Sequence, residues 1–173
     1  MTQRYGYLDT CALMRNAQGE VEGAPERDKT GRSNFRAILD DASAVLATSE
    51  IGVVEFYDAI GKTTRGPDGM YDDEWRRRSI SELMGWIGDG RLVIVPVPAK
   101  AVESALVLMT ISHDGPRMAF NAWDAVHLVA ACSWATSLGV PVDFITCDSD
   151  FTRFFARFPH FEELVNVVMV WEK

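Results

Sequence analysis

Four acidic residues set among apolar neighbours are the positions of this sequence best suited to chemistry. They are Asp9 in Tyr7-Leu8-Asp9-Thr10, Glu55 in Ile51-Gly52-Val53-Val54-Glu55, Asp124 in Ala122-Trp123-Asp124-Ala125-Val126-His127, and Asp148 in Ile145-Thr146-Cys147-Asp148. Carboxylates gathered in one cleft raise one another's pKa and resist ionising together. A divalent cation removes that cost. Hard oxygen donors without His or Cys suit Mg²⁺ or Mn²⁺, and Mg²⁺ in particular keeps waters for a substrate phosphate. The chemistry this predicts is phosphodiester hydrolysis, with one or two ions stabilising the attacking and leaving oxygens. Each acid also has a purely structural reading. Asp9 could cap a helix, Glu55 could be a charge beside core positions of a helix, Asp124 could complete a capping box with Asn121, and Asp148 in Asp148-Ser149-Asp150 could be a turn residue. None is decisive singly; their joint placement near one sheet edge is what would make them a site.

The elements that must position these acids can be read from periodicity and turn signals. Residues 5–8 form a short bulky run ending at Asp9-Thr10, a strand that opens into a helix. Residues 16–33 are polar and turn-rich (Gly19, Gly23, Pro25, Gly31), which predicts a loop, followed by a helix over 34–42. A second strand over 45–48 leads to Ser49, suited to cap a helix over 50–60. Residues 61–69 read as a flexible connection, and 72–87 as an amphipathic helix. A third strand follows at 91–95, helices at 98–111 and 121–138, a fourth strand at 142–146, a short helix at 151–155 and a final edge strand at 165–171. Strands alternating with helices predict an α/β protein, a three-layer α/β/α sandwich with a central, mainly parallel sheet of about five strands. Ligand sites in such sheets form at the carboxyl ends of the strands. Asp9 and Asp148 both fall just past predicted strand ends, so the fold would bring them close.

With 173 residues, 47% of them hydrophobic, the whole chain reads as one domain with one substantial core. No run approaches the roughly 18 apolar residues of a membrane span, and the first residues lack the apolar run of a signal peptide. A soluble, cytoplasmic protein without membrane partners is expected. Three widely spaced cysteines (Cys11, Cys132, Cys147) without a Cys-x-x-Cys pair predict buried free thiols. Twenty-five acidic against 17 basic residues give a net charge of −8, which works against non-specific nucleic-acid binding unless basic residues cluster or a metal neutralises part of the acid. Arg76-Arg77-Arg78, with Lys62 and Arg65 before them, is one such cluster. Its bland reading is a solvated helix face balanced by Asp72, Asp73 and Glu74. Glu50, a rival to Glu55, suits the first turn of its helix as a partner of the dipole. His127, three residues after Asp124 on an apolar helix, reads first as a satisfied core histidine. His113 and His160 have no supporting constellation.

The segments Tyr-Leu-Asp-Thr, Val-Val-Glu-Phe, Asp-Ala-Val-His-Leu-Val-Ala-Ala and Ile-Thr-Cys-Asp-Ser-Asp-Phe together, in this order across nearly the whole chain, resemble the PIN-domain family and most of all the VapC-type toxin ribonucleases. The resemblance implies a compact sheet of five parallel strands, dependence on Mg²⁺ or Mn²⁺, and cleavage of RNA. It maps the family's acidic quartet onto Asp9, Glu55, Asp124 and Asp148, adds Asp150 to the metal shell, and gives Thr146 a supporting role through hydrogen bonds. It also implies a small cognate antitoxin protein and a homodimer. Two features depart from the pattern: Cys11 stands where such proteins often have Ser, and the stretches 16–33 and 61–71 are long for a toxin of this type. Other readings of the same acids are a PIN scaffold that binds RNA or protein without cutting it, a housekeeping PIN nuclease, and a phosphoacceptor domain with Asp9 as nucleophile. The last lacks a convincing Lys after its final strand.

Overall fold

Short runs rich in apolar residues, alternating between two covered faces, make the strands β1 (Arg4–Leu8), β2 (Ala44–Ser49), β3 (Leu92–Val95), β4 (Val142–Thr146) and β5 (Val165–Met169). The structure, a computed structural model, describes residues 3–63, 71–113 and 121–170. All five strands are parallel, in the order β3-β2-β1-β4-β5, so β1 and β4 pair at the centre and β5 is the edge expected from the sequence. The connecting helices are α1 (Thr10–Gln18), α2 (Glu26–Leu39), α3 (Glu50–Lys62), α4 (Asp73–Gly88), α5 (Ala101–His113), α6 (Ala122–Leu138) and α7 (Ser149–Arg157), with a 3-10 turn at Pro159–Glu163.

The two faces are sorted by strand alternation. Tyr7, Ala47 and Phe144 point to the side covered by α5, α6 and α7, where Leu108, Leu128 and Phe151 complete a core. Their neighbours Leu8, Leu46 and Ile145 point to the side covered by the first four helices, against Leu13, Phe35, Phe56 and Leu83. This is the expected three-layer α/β/α sandwich, with the sheet wholly parallel. Among the described residues no helix is long and apolar enough to cross a membrane.

The reading of residues 16–33 as a loop is corrected. α1 runs on to Gln18, only 19–25 connect, and α2 occupies 26–39 where a helix was expected from 34. Two of the glycines that looked like turn signals serve close helix contact instead. A Cβ on Gly19 would lie 2.3 Å from the backbone oxygen of Asp28, and Gly31 lies against the Arg15 side chain. The polar character of α2 is spent on ion pairs and hydrogen bonds with α1 and α4. Arg15 pairs with Asp28 and Arg36 with Glu82, while Asn16 donates to Glu82 at 2.9 Å and accepts from Arg36 Nε at 2.9 Å. A charged helix face held this way carries no apolar stripe long enough to read. At the other uncertain connection α3 extends through Lys62; residues 64–70, including Arg65, lie outside the described residues, as does Trp171 of the expected last strand.

Because the contact at Gly19 is to backbone rather than to a flexible side chain, Gly19→Ala must push α2 away from α1. A loss of about 1–3 kcal/mol is expected, read as a lowered midpoint in urea unfolding with an unchanged slope. An unaltered midpoint would mean that the α1–α2 turn relaxes freely.

Candidate active site

The central pairing of β1 with β4 positions the first acid. The ladder runs to Leu8 opposite Ile145, and the Asp9 amide extends it by donating to the Ile145 carbonyl at 3.0 Å. Asp9 therefore emerges beside Thr146, only 5% exposed, at the carboxyl edge of the sheet. It sits at the N-cap of α1 yet makes no side-chain cap bond, so helix capping does not explain it. Its Oδ2 accepts instead from Thr146 Oγ1 at 2.7 Å and from the Cys11 thiol at 3.0 Å. Burial pushes the Cys11 thiol up, which keeps it a protonated donor.

Thr146 is fully buried and works in two directions: while donating to Asp9 it accepts the Asp148 amide at 3.0 Å. Asp148 caps α7, its Oδ1 accepting the Asp150 amide at 2.8 Å, so its turn reading holds alongside its position at the sheet edge. Asp150, in the first turn of α7, pairs with Arg153. Asp124 lies in the first turn of α6 and forms the capping box that its spacing suggested. Its Oδ2 accepts the Asn121 amide at 2.9 Å, and Asn121 Oδ1 accepts the Asp124 amide at 3.0 Å. Its carboxyl is pushed up to about 7, first by burial and then by the charges of Asp9, Asp148 and Glu55, with the Asn121 amide acting the other way. That mutual repulsion is the like-charge crowding expected of a site that gathers acids.

Glu55 comes from α3, which Ser49 caps by accepting the Gly52 amide at 3.1 Å. Its Oε2 lies 2.9 Å from His127 Nε2, and the same ring nitrogen is 3.0 Å from Thr10 Oγ1 and 3.7 Å from Asp9 Oδ1. Nδ1 lies 2.9 Å from the Tyr7 hydroxyl. A carboxylate only accepts, so Nε2 carries the hydrogen shared with Glu55. In the neutral ring Nδ1 then accepts from Tyr7. Burial alone would raise the Glu55 carboxyl, but the hydrogen bonds from His127 and Thr10 and the imidazole charge hold it below its ordinary value. Burial alone would lower His127, but the Glu55 bond and the charges of Asp9, Glu55 and Asp124 raise it.

The tightest grouping of possible ligand atoms among the described residues is Asp9, Glu55 and His127, all within 4.8 Å of one another. Asp124 and Asp148 stand outside that grouping: the charge of Asp124 acts on His127, and the charge of Asp148 acts on Asp124. The oxygen-only donor set expected from the sequence thus has an imidazole and a thiol in its midst. His127 is indeed a buried histidine with both nitrogens engaged, but its partners are the site itself. The signal available in the sequence was its position three residues after Asp124, on the same face of the helix. The three cysteines are free, but of the three expected to be buried only Cys147 is, with Cys11 and Cys132 partly so. Glu50 is exposed in the first turn of α3. Arg76 and Arg78 pair with Asp73 and Glu20, so the basic cluster is largely a balanced helix face.

No protein-family model matches the chain, and no curated protein matches its sequence. Solved structures do match it. The chain resembles VapBC2 from Rickettsia felis bound to a promoter DNA fragment (15% identity, TM-score 0.55, covering 94% of this chain and 98% of that one). It also resembles DNA-bound VapBC from Salmonella typhimurium (16%, 0.54, 98% and 99%) and the sarcin-ricin loop cleaving toxin VapC20 of Mycobacterium tuberculosis (15%, 0.55, 85% and 92%). The chain has the fold of these VapC-type PIN domains.

The raised Asp124 carboxyl has a consequence for stability. A carboxyl that titrates higher in the folded than in the unfolded chain stabilises the fold below its unfolded value of about 4, and that contribution is lost as pH rises toward about 7. In chelator-treated buffer the Tm advantage of Asp124→Asn over wild type should therefore grow from about pH 4 to about pH 7 and then level off. A difference that stays flat over this range would show that the Asp124 carboxyl is not raised in the folded chain.

Proposed function

We propose that the chain is a divalent-metal-dependent ribonuclease that hydrolyses RNA phosphodiester bonds, and that it serves as the toxin of a toxin–antitoxin pair. The observation that carries this reading is the gathering of acids from the ends of β1 and β4 and from α3 and α6 at the carboxyl edge of the sheet, where burial first and then the charges of Asp9, Asp148 and Glu55 push Asp124 up to about 7. Carboxylates so arranged fit a hard cation, which relieves their repulsion. Asp9, Glu55, Asp124 and Asp148 would hold Mg²⁺ or Mn²⁺, with Asp150 at the margin of the shell. The bound ion would supply charge neutralisation at the scissile phosphate and activation of water.

The protein's own part is to keep the acids placed. Thr146 and the Cys11 thiol hold Asp9, the Asn121 amide holds Asp124, the Asp150 amide holds Asp148, and His127 holds Glu55. Each carboxylate is thus fixed through a named oxygen by a protein donor. VapC20 is described as cleaving the sarcin-ricin loop, which makes structured RNA one substrate class to test beside unstructured RNA. Asp9→Asn, Asp124→Asn and Asp148→Asn should each abolish Mn²⁺-dependent RNA cleavage while leaving circular dichroism unchanged, and a double variant should be hardly worse than a single one because the acids act as a unit. Near-normal cleavage by any two of the single variants would remove the assignment. Absence of cleavage by the wild type with either metal would favour a non-catalytic scaffold.

The partner reading rests on the fold and on exposed apolar side chains. Val54 and Tyr57 on α3 and Met84 on α4 offer apolar surface to an antitoxin helix, and an antitoxin Arg would pair with the acids in bidentate fashion. Val102, Leu106 and Val107 on α5 suit a homodimer contact. Expressed alone, the chain should arrest growth, and the product of the small neighbouring reading frame should copurify with it and restore growth. Harmless expression without a copurifying neighbour, in a protein that still cuts RNA, would make it a housekeeping PIN nuclease.

A further inference from the structure

His127 is fully buried, and it occupies a slot built for it. Its ring lies between α6 and α3 where Gly52 leaves room: a Cβ at position 52 would come within 2.9 Å of His127 Cε1 and 2.4 Å of Thr48 Oγ1. Behind the ring the Tyr7 hydroxyl takes Nδ1 at 2.9 Å, and the Tyr7 ring packs edge-on with centroids 5.8 Å apart. In front, Nε2 meets Glu55 Oε2 at 2.9 Å, with Asp9 Oδ1 at 3.7 Å. Glu55 has the longest side chain of the four acids and is partly exposed, and its carboxylate meets His127, with the Thr10 hydroxyl 3.0 Å from the same ring nitrogen.

We propose that His127 is a positioning residue: its Nε2–H, aimed by Tyr7, holds the Glu55 carboxylate of α3 beside Asp9 at the end of β1 and so assembles a cation-binding pair from two separate elements. This rests on the metal-nuclease reading. Outer-shell donors that orient ligating carboxylates commonly carry a tenfold to hundredfold share of metal affinity. His127 acts through Glu55, so its effect must vanish when Glu55 can no longer hold metal.

The test is Mn²⁺ affinity of the full chain by isothermal titration calorimetry, without RNA. His127→Leu should weaken Mn²⁺ binding about tenfold or more. His127→Gln, whose amide N–H can replace Nε2–H, should restore most of it. The double variant His127→Leu with Glu55→Gln should bind no more weakly than Glu55→Gln alone, because two residues acting through one contact are non-additive. Unchanged affinity in a folded His127→Leu overturns the proposal, and so does a double variant whose losses add, since His127 would then act on the ion independently of Glu55. If His127→Leu fails to fold, Tyr7→Phe decides: it removes the bond that aims the ring while keeping the volume, and should weaken Mn²⁺ in the same direction, whereas wild-type affinity there overturns the proposal. A wild-type chain that binds no Mn²⁺ would sink the metal-nuclease reading and this role with it. Wild-type binding that survives His127→Leu sinks this role alone.

Discussion

Asp9 is a nearly buried carboxylate at the end of the central strand, and the cost of keeping a charge there organises much of what surrounds it. Burying a charge without partners is costly. Here the neighbouring strand supplies Thr146, the first turn of α1 supplies the Cys11 thiol, and His127 stands 3.7 Å away. Each donor is itself held. Thr146 is tied to the Asp148 amide, Cys11 accepts the Cys147 amide at 2.9 Å, and His127 is backed by Tyr7. The pairing of β1 with β4 is therefore both a structural ladder and the means by which residues more than a hundred positions apart share one charge.

The helices on the two faces contribute unequally to that edge. α3 and α6 approach closely enough for Glu55 to meet His127, and the missing side chain at Gly52 is what permits it. α1, α2 and α4 are joined by a polar network through Arg15, Asp28, Asn16, Arg36 and Glu82, with Trp75 Nε1 donating to the Ala17 carbonyl at 2.8 Å. Partly buried hydrogen-bonded networks of this kind fix orientation more than they add stability. Their effect here is to hold the helix that begins at Asp9 in one position relative to the sheet.

The acidic total of −8 is consistent with such a site only because some of the acid is spent locally. Asp28, Asp73, Glu20 and Glu82 are paired with arginines, and Asp72 caps α4 by accepting the Trp75 amide at 2.7 Å. The acids at the sheet edge are different: they meet amide, hydroxyl, thiol and imidazole donors and one another. The Asp124 carboxyl is raised first by burial and then by the charges of Asp9, Asp148 and Glu55.

Strand positions, the caps at Ser49 and Asn121, and the placement of Asp9 and Asp148 past strand ends were legible in the sequence. Period-two patterning, capping chemistry and alternation of elements are local signals, and each survives without knowledge of its neighbours. The helix over 26–39 was not legible, because its polar face is satisfied by residues of α1 and α4 and its one glycine, Gly31, marks a contact with Arg15 of α1 rather than a turn. His127 was legible as buried but not as a neighbour of Glu55, since the 72 positions between them leave no trace in spacing. That juxtaposition depends on how far α3 and α6 can close over the ends of β1 and β2, and side-chain volume at Gly52, 75 residues before the histidine, decides it.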